Sequence, residues 1–577
     1  MSAHCQPSSI PSASRTVGAT ITAADVDSML ERYGYSDEAR DIVRREDLLP
    51  TGLLSRLHLT YPQHSGLLER DPFLFPGRAE YEGLRGFRKV VAILAEHGIQ
   101  LDHLLERELF IEVYRFKATS HALNAINWRA FEHDSIYHLI FPQPGMMPTD
   151  LVEKYGATPE GDARTAIADS YKEATNPHDG HQLLNKPWIE RDDGSLDIVE
   201  GSQHKYPQCA LVFDKTTQAC YAFCTYCFRH AQLRRDDDMF LQDDVAQVHD
   251  YVRRHPEITD LLITGGDAGY MPYERLRSYV MPIVEDPSLL HVRTIRIASR
   301  ALTYQPEMIL TKKYERMLGL FDELHRNGIQ VSWMAHFSTP RELLNPSTIA
   351  AIRRLQAHGV VVRSQSPIMN HISLFQDEDG KTDIARSAQN WIDLANILAT
   401  LLVRFHSMYC ARPTGEHHYF AAPLADIEKV SNLVFRSLSS LNRPSRYISM
   451  TTSAGKISLL GETAVGGRKA LALKFNEARN MAWMDKVFLA VYDETETRVD
   501  RLVPLDGGDF FFAKELAEIE RRLELTLEGK ALSQGCCGGT GACNGEGCGS
   551  SRCNGESHHG RAAGGSCCNG PCSDSCN

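Results

Sequence analysis

Cys220-Tyr-Ala-Phe-Cys224-Thr-Tyr-Cys227-Phe-Arg229-His230 places three thiols within eight residues, at a three-then-two spacing. A loop this short can wrap three sulfurs around one face of a small inorganic core. A [4Fe–4S] cube takes one thiolate per iron, so three cysteines leave one iron open for a small chelating ligand. The competing reading is a zinc site completed by Cys209 or His230. Structural zinc prefers four ligands in paired spacings, and no second cysteine pair lies nearby. Disulfides do not suit a chain without an export signal.

Outward from this loop, short apolar runs alternate with helical stretches. The expected strands are 209–213, 261–264, 294–298, 330–335, 360–364, 401–407 and, last, 447–450. Helix-like segments lie between them at 243–254, 273–284, 306–327, 345–358, 384–400 and 423–440. Strand–helix alternation of this kind predicts a parallel sheet. About six units fit an open or partial (β/α) barrel, whose chemistry sits at the C-terminal strand ends. The cysteine loop follows the first strand and falls at that end.

The sequence after the second strand, Thr264-Gly265-Gly266-Asp267, lets backbone approach a ligand without a Cβ in the way. Together with the three-cysteine loop it resembles the radical S-adenosylmethionine (SAM) superfamily, in which SAM chelates the open iron. In that superfamily the Gly-Gly-Asp segment receives the amino group of SAM. Three further strand ends narrow the match: Arg296-Ile-Ala-Ser299-Arg300, Met334-Ala-His336-Phe337, and Ser364-Gln365-Ser366. In order, from about Lys205 to Leu460, they are similar to the lysine 2,3-aminomutase family. That family also carries pyridoxal 5′-phosphate (PLP), and its fold is a partial (β/α) barrel.

The resemblance assigns roles residue by residue. Cys220, Cys224 and Cys227 would hold the [4Fe–4S] cluster. Gly265, Gly266, Asp267, Ser299, Arg300, His336 and Gln365 would line the SAM and PLP side. Lys456, in Ala454-Gly455-Lys456-Ile457, stands where the family has the lysine that bonds the PLP aldehyde. Arg229 stands where the family pairs an arginine with the substrate carboxylate, a two-point match for a guanidinium. Lys205, in Lys205-Tyr206-Pro207, resembles the PLP phosphate segment, although the family's second basic residue is Cys209 here.

The departures concern substrate. Lysine-specific members grip the far end of lysine with two aspartates. Here those places hold Ala411 and Ser449. A cationic side chain would be desolvated without a partner, which is costly. Glu416 and His417 are the nearby substitutes. The implied activity is an isomerase moving an α-amino group to the β-carbon through a 5′-deoxyadenosyl radical, on a substrate other than lysine bound in the usual way. Two alternatives stand beside it: a PLP-independent radical SAM enzyme, and a metal-binding protein acting through its tail. The family further implies a small amino acid substrate and a reductant such as flavodoxin or ferredoxin, and leaves room for a homo-oligomer.

Composition bounds the rest. The chain has 577 residues, 42 % hydrophobic, enough for a large core. Lys plus Arg number 62 against 74 Asp plus Glu, a net charge of −12 that argues against a nucleic-acid partner. No apolar run approaches a membrane span of roughly 18 residues. The Ser- and Pro-rich start has neither a basic nor an apolar export segment, so the expected location is the cytoplasm. The expected organisation is 1–16 disordered, 17–205 mainly helical, 206–465 the barrel, 466–532 a C-terminal α/β extension, and 533–577 a disordered Cys/Gly-rich tail. That tail holds nine of the 15 cysteines, from Cys536 to Cys576, at spacings that fit no zinc finger. His178 and His181 read as a loop with two solvated histidines rather than a metal pair.

Overall fold

The computed structural model describes residues 20–64, 67, 73–175, 183–192, 194–230, 241–413 and 415–527. The readings made for the first 16 residues, for His178 and His181, and for the cysteine-rich tail lie outside them. Two units are distinct, Met1–Phe510 and Phe511–Asn577. In the second, the described element is the helix Ala513–Leu527.

The first unit is built on one sheet of eleven strands. The small strands come first in sequence: β1 (Glu80–Glu82), β2 (Lys117–Thr119), β3 (Trp188–Glu190) and β4 (Leu196–Ile198), which pair as two antiparallel ribbons. The large sheet runs β5 (Ser202–Tyr206), β6 (Cys209–Phe213), β7 (Asp260–Thr264), β8 (Thr294–Ala298), β9 (Gln330–Ala335), β10 (Val361–Ile368), β11 (Arg404–Cys410), β12 (Ser449–Thr451), β13 (Gly455–Val465), β14 (Arg468–Ala478) and β15 (Val487–Val491), in that spatial order. From β6 to β12 every pairing is parallel. β5 and the β13–β15 meander flank this block in antiparallel fashion.

The crossover helices are Val245–Arg254, Tyr273–Glu285, Glu315–Arg326, Pro346–Ala357, Ile384–Thr400 and Leu424–Ser437. Several begin on the residues that satisfy orphan N–H groups. Asp244 accepts from Ala246 and Gln247, Asp383 from Arg386, and Asn345 caps a helix whose first residue is Pro346. The stretch expected as one helix, 306–327, breaks into short 3-10 turns before Glu315.

A parallel sheet covered on both faces reads as continuous apolar runs. Most of these strands alternate instead, β9 excepted, which is buried from Val331 to Ala335. Ile295, Ile297, Val331 and Val362 are buried. The alternate residues Asp260, Arg296, Arg363 and His406 are only partly covered. Arg296 donates to the Asp260 carboxylate at 2.7 Å. Burial, with Arg446 and Arg296 nearby, pushes the His406 imidazole down to about 3. One face of the sheet thus packs against helices, and the other lines a polar interior.

The expectation of a mainly helical region up to 205 meets seven helices of nine residues or more among the described residues, including Gly83–Glu96 and Asp162–Ala174. It misses β1 to β5, each three to five residues long. The expected boundary at 465 falls at the tip of the β13–β14 hairpin, and the strands beyond it continue the same sheet. Among the described residues no helix is long and apolar enough to cross a membrane.

Candidate active site at the C-terminal strand ends

The cysteine loop leaves the end of β6 and is pinned from outside the sheet. Phe223 N–H donates to the Lys117 carbonyl at 2.8 Å, and Thr225 N–H to the Leu139 carbonyl at 2.9 Å. The Thr225 hydroxyl donates to the His138 carbonyl at 2.7 Å. Tyr221 stacks on Tyr270 at 4.1 Å, and Lys117 Nζ donates to the Tyr270 hydroxyl at 3.2 Å. The N-terminal helical region therefore supplies the wall that fixes the loop, a role the sequence did not announce.

Burial, then Cys227, Asp267 and Cys224, pushes the Cys220 thiol far up. Burial and Cys224 push Cys227 up to about 12. Cys224 lies close enough to raise both other thiols, and ionising Cys220 and Cys227 needs a cationic core. Among the described residues no three His, Cys, Asp or Glu side chains converge as a single metal ion requires. A cube distributes its thiolates over separate irons and needs no such convergence. Cys209 sits at the opposite end of β6, where burial and Asp260 raise it to about 12. His230 is buried edge-on to Tyr114 at 4.8 Å. The donor set fits the cluster.

The turn after β7 sits directly under this loop. Gly266 and Asp267 N–H groups donate to the Thr217 carbonyl at 2.8 and 3.0 Å. Gly265 has φ +139°, and a Cβ there would lie 2.1 Å from Thr217 Oγ1. The Asp267 carboxylate accepts from Gly269 N–H at 2.8 Å and Arg300 N–H at 2.9 Å. Burial outweighs those bonds and raises its carboxyl to about 6. Ser299 Oγ accepts from Ala301 N–H at 3.0 Å.

From Arg300 a row of contacts crosses the strand ends. Its Nη1 donates to Cys224 Sγ at 3.3 Å and to the Tyr226 hydroxyl at 3.1 Å; its Nη2 donates to Glu342 at 2.8 Å. His336 lies between two tyrosines, with Nδ1 3.0 Å from the Tyr226 hydroxyl and Nε2 2.9 Å from the Tyr409 hydroxyl. Burial and the Arg300 charge hold its imidazole well below the usual range, so it is neutral. Gln365 follows a register shift in the β10–β11 pairing, an irregularity that re-aims side chains.

Beyond Tyr409 lie Arg412 and Arg229. The Arg229 guanidinium lies 4.4 Å over the Phe213 ring, and burial with Arg412 nearby lowers it to about 9. Lys456 Nζ is 5.1 Å and Lys205 Nζ 5.7 Å from the Tyr206 ring centroid. Lys456 pairs with Glu477, and Lys205 donates to the Thr452 carbonyl. The Tyr206 hydroxyl is enclosed without a hydrogen-bond partner. Two amines, an unanswered hydroxyl and a tyrosine face fit a phosphorylated aldehyde cofactor. Gly455 is fixed by close approach, since a Cβ there would meet the Glu477 carbonyl oxygen at 2.2 Å.

Glu416, considered above as a counter-charge for substrate, is taken by the hydroxyls of Tyr114 at 2.7 Å and Tyr171 at 3.2 Å. His417 is 2.9 Å from the Arg412 carbonyl through Nδ1. Neither stands in for the missing aspartates. Sequence reasoning did not single out Arg412, Tyr409 or Tyr226. Arg412 follows the strand-end Cys410 by two residues, and that position was its available signal.

No family model matches the chain. Over 299 residues it is 30 % identical to a putative L-lysine 2,3-aminomutase of Aquifex aeolicus, covering 50 % of this chain and 74 % of that one. The chain belongs to the lysine 2,3-aminomutase family. It is 26 % identical over 286 residues to the L-lysine 2,3-aminomutase of Clostridium subterminale, covering 47 % of this chain and 62 % of that one. It is 27 % identical over 224 residues to the glutamate 2,3-aminomutase of Clostridioides difficile, 36 % of this chain and 50 % of that one. The solved structure of Streptococcus suis SuiB bound to S-adenosylmethionine superposes only loosely, with a TM-score of 0.29 and 11 % identity over 52 % of this chain and 59 % of that one. As a lysine 2,3-aminomutase family member the chain is an isomerase, and the family's cofactors are a [4Fe–4S] cluster, SAM and PLP.

Proposed function

We propose that this chain is a PLP-dependent amino acid 2,3-aminomutase working in a partial (β/α)6 barrel, and that its substrate is not lysine held in the usual way. The observation that carries the reading is the unbroken row from Cys224 through Arg300, Tyr226, His336 and Tyr409 toward Arg412, with Arg229, Lys456 and Lys205 at its far end. Such a row ties the cluster loop to the end where the arginines and the two lysines stand.

Cys220, Cys224 and Cys227 hold the cluster. Gly265, Gly266, Asp267 and Ser299 shape the SAM cleft, and Arg300 braces Cys224 against Glu342. Lys456 would hold PLP through its amine, and Lys205 would answer the charge of the phosphate. Arg229 orients the substrate carboxylate. His336 and Gln365 line the space between. When bound, the cluster and SAM supply a 5′-deoxyadenosyl radical and PLP supplies delocalisation for the migrating amino group. The protein orients these groups and excludes water, while a reductant such as flavodoxin or ferredoxin delivers the electron. Ala411 and Ser449 leave no carboxylate for a lysine ammonium.

One observation favours a second reading, a PLP-independent enzyme. The amines of Lys456 and Lys205 are already engaged by Glu477 and Thr452. The discriminating experiment is absorption spectroscopy after incubation with PLP. A bound-PLP band in the wild type that is missing in Lys456→Ala supports the first reading. An identical trace from both proteins supports the second.

A further inference from the structure

Arg229 and Arg412 approach the same ring. Their guanidinium carbons lie 5.2 and 4.7 Å from the Phe228 centroid. Among the described residues neither forms an ion pair with a carboxylate, and Nη1 of Arg229 is enclosed with no hydrogen-bond partner. The titratable groups that favour the Arg412 charge are the Tyr206 and Tyr409 hydroxyls, whose own ionisation burial opposes. Three other interior arginines are paired: Arg296 has Asp260, Arg446 has Glu477, and Arg300 has Glu342. Arg363, also on the interior face, forms no ion pair among the described residues but feels the Asp260 charge.

Two like charges in one enclosed space, each without a counter-charge, are costly to hold. Such an arrangement persists where a ligand brings the missing negative charges. Arg412 is held there by its backbone, since it lies two residues past Cys410, the last of β11, and its carbonyl is 2.9 Å from His417 Nδ1. It is next in sequence to Ala411, at the end where an amino acid side chain would lie.

We propose that Arg229 and Arg412 form a two-guanidinium cradle for a dicarboxylic α-amino acid, with Arg412 receiving the side-chain carboxylate. The proposal rests on the aminomutase reading for the role of Arg229 and adds the substrate class. A guanidinium fork matches a carboxylate at two points, so each arginine can satisfy one end. A basic amino acid would bring a third positive charge to the cradle. The PLP phosphate is a second source of the same negative charge, and the test separates the two.

The test is equilibrium dialysis of full-length, PLP-loaded protein with labelled L-glutamate, L-aspartate, L-alanine and L-lysine. It compares the wild type with Arg412→Gln and Arg412→Lys, and bound PLP is quantified in each. The expected result is that glutamate or aspartate binds at least about tenfold more tightly than alanine or lysine. Arg412→Gln should weaken the acidic ligand by about thirtyfold or more at unchanged PLP content, and Arg412→Lys should recover part of the loss. A wild type with no acidic preference overturns the proposal. So does an Arg412→Gln protein that loses PLP yet keeps the preference, because Arg412 is then a phosphate anchor. Acidic amino acids that bind as predicted but are never converted leave the cradle standing and remove the aminomutase reading.

Discussion

Lys456 and Glu477 face each other across the antiparallel β13–β14 ladder, amine to carboxylate. The same carboxylate accepts from Arg446 at 2.7 Å. An aldehyde cofactor must therefore take the amine out of an ion pair. Glu477→Gln removes that competitor and should speed PLP uptake about fivefold, the factor expected from the ~1 kcal/mol such a pair contributes. Stopped-flow absorbance after mixing with PLP measures it. An unchanged rate would mean that the pair does not gate loading.

Acid should unfold the protein partly through this site. Burial alone would raise the Glu477 carboxyl, but Lys456 and Arg446 outweigh it and hold it down to about 2, from 4.5. A depressed carboxylate contributes stability that is complete above its unfolded value and fades as pH falls toward the folded one. Urea midpoints should therefore drop between about pH 4.5 and 2 in the wild type. Glu477→Gln should lack that component of the drop.

Gly265→Ala should be severely destabilising. The new Cβ would meet Thr217 Oγ1 at 2.1 Å and the Thr217 carbonyl at 2.8 Å, at φ +139°. Overpacking plus a strained backbone predicts a loss of about 2–4 kcal/mol, read as a shift in the urea midpoint. Because Gly266 and Asp267 share the Thr217 carbonyl, the proposed SAM cleft would be displaced with it.

Cysteine variants should divide by place rather than by burial. Cys220→Ala, Cys224→Ala and Cys227→Ala should each abolish the SAM-dependent change in the electron paramagnetic resonance signal of the reduced, reconstituted protein. Cys209→Ala and Cys410→Ala should retain it. Cys209 lies at the far end of β6 from the loop, and Cys410 is buried within β11.

Much of this was legible in the sequence. Alternating apolar runs and capped helices gave β6, β8 and β9 their observed limits and the helix Ile384–Thr400 its own. β10 and β11 run further than expected, to Ile368 and Cys410, because polar Gln365 and Tyr409 face a lined interior rather than ending a strand. The β13–β14 hairpin was missed because Lys456, Glu462, Lys469 and Glu477 give it the charge of a loop. Its stability comes from pairing with a partner eleven residues long, not from local pattern. The arrangement of Arg412 and Arg229 about Phe228 joins the ends of β6 and β11, which four strands separate in the sheet. No periodicity could have signalled it.

In the proposed mechanism the cluster loop and Lys456 serve one reaction in one interior. The direct test is to incubate anaerobic, reconstituted protein with SAM, a reductant, PLP and a panel of amino acids, then identify products by NMR. The expected product is a β-amino acid, formed only with SAM and lost in both Cys224→Ala and Lys456→Ala. Cleavage of SAM to 5′-deoxyadenosine with every amino acid recovered unchanged would contradict it.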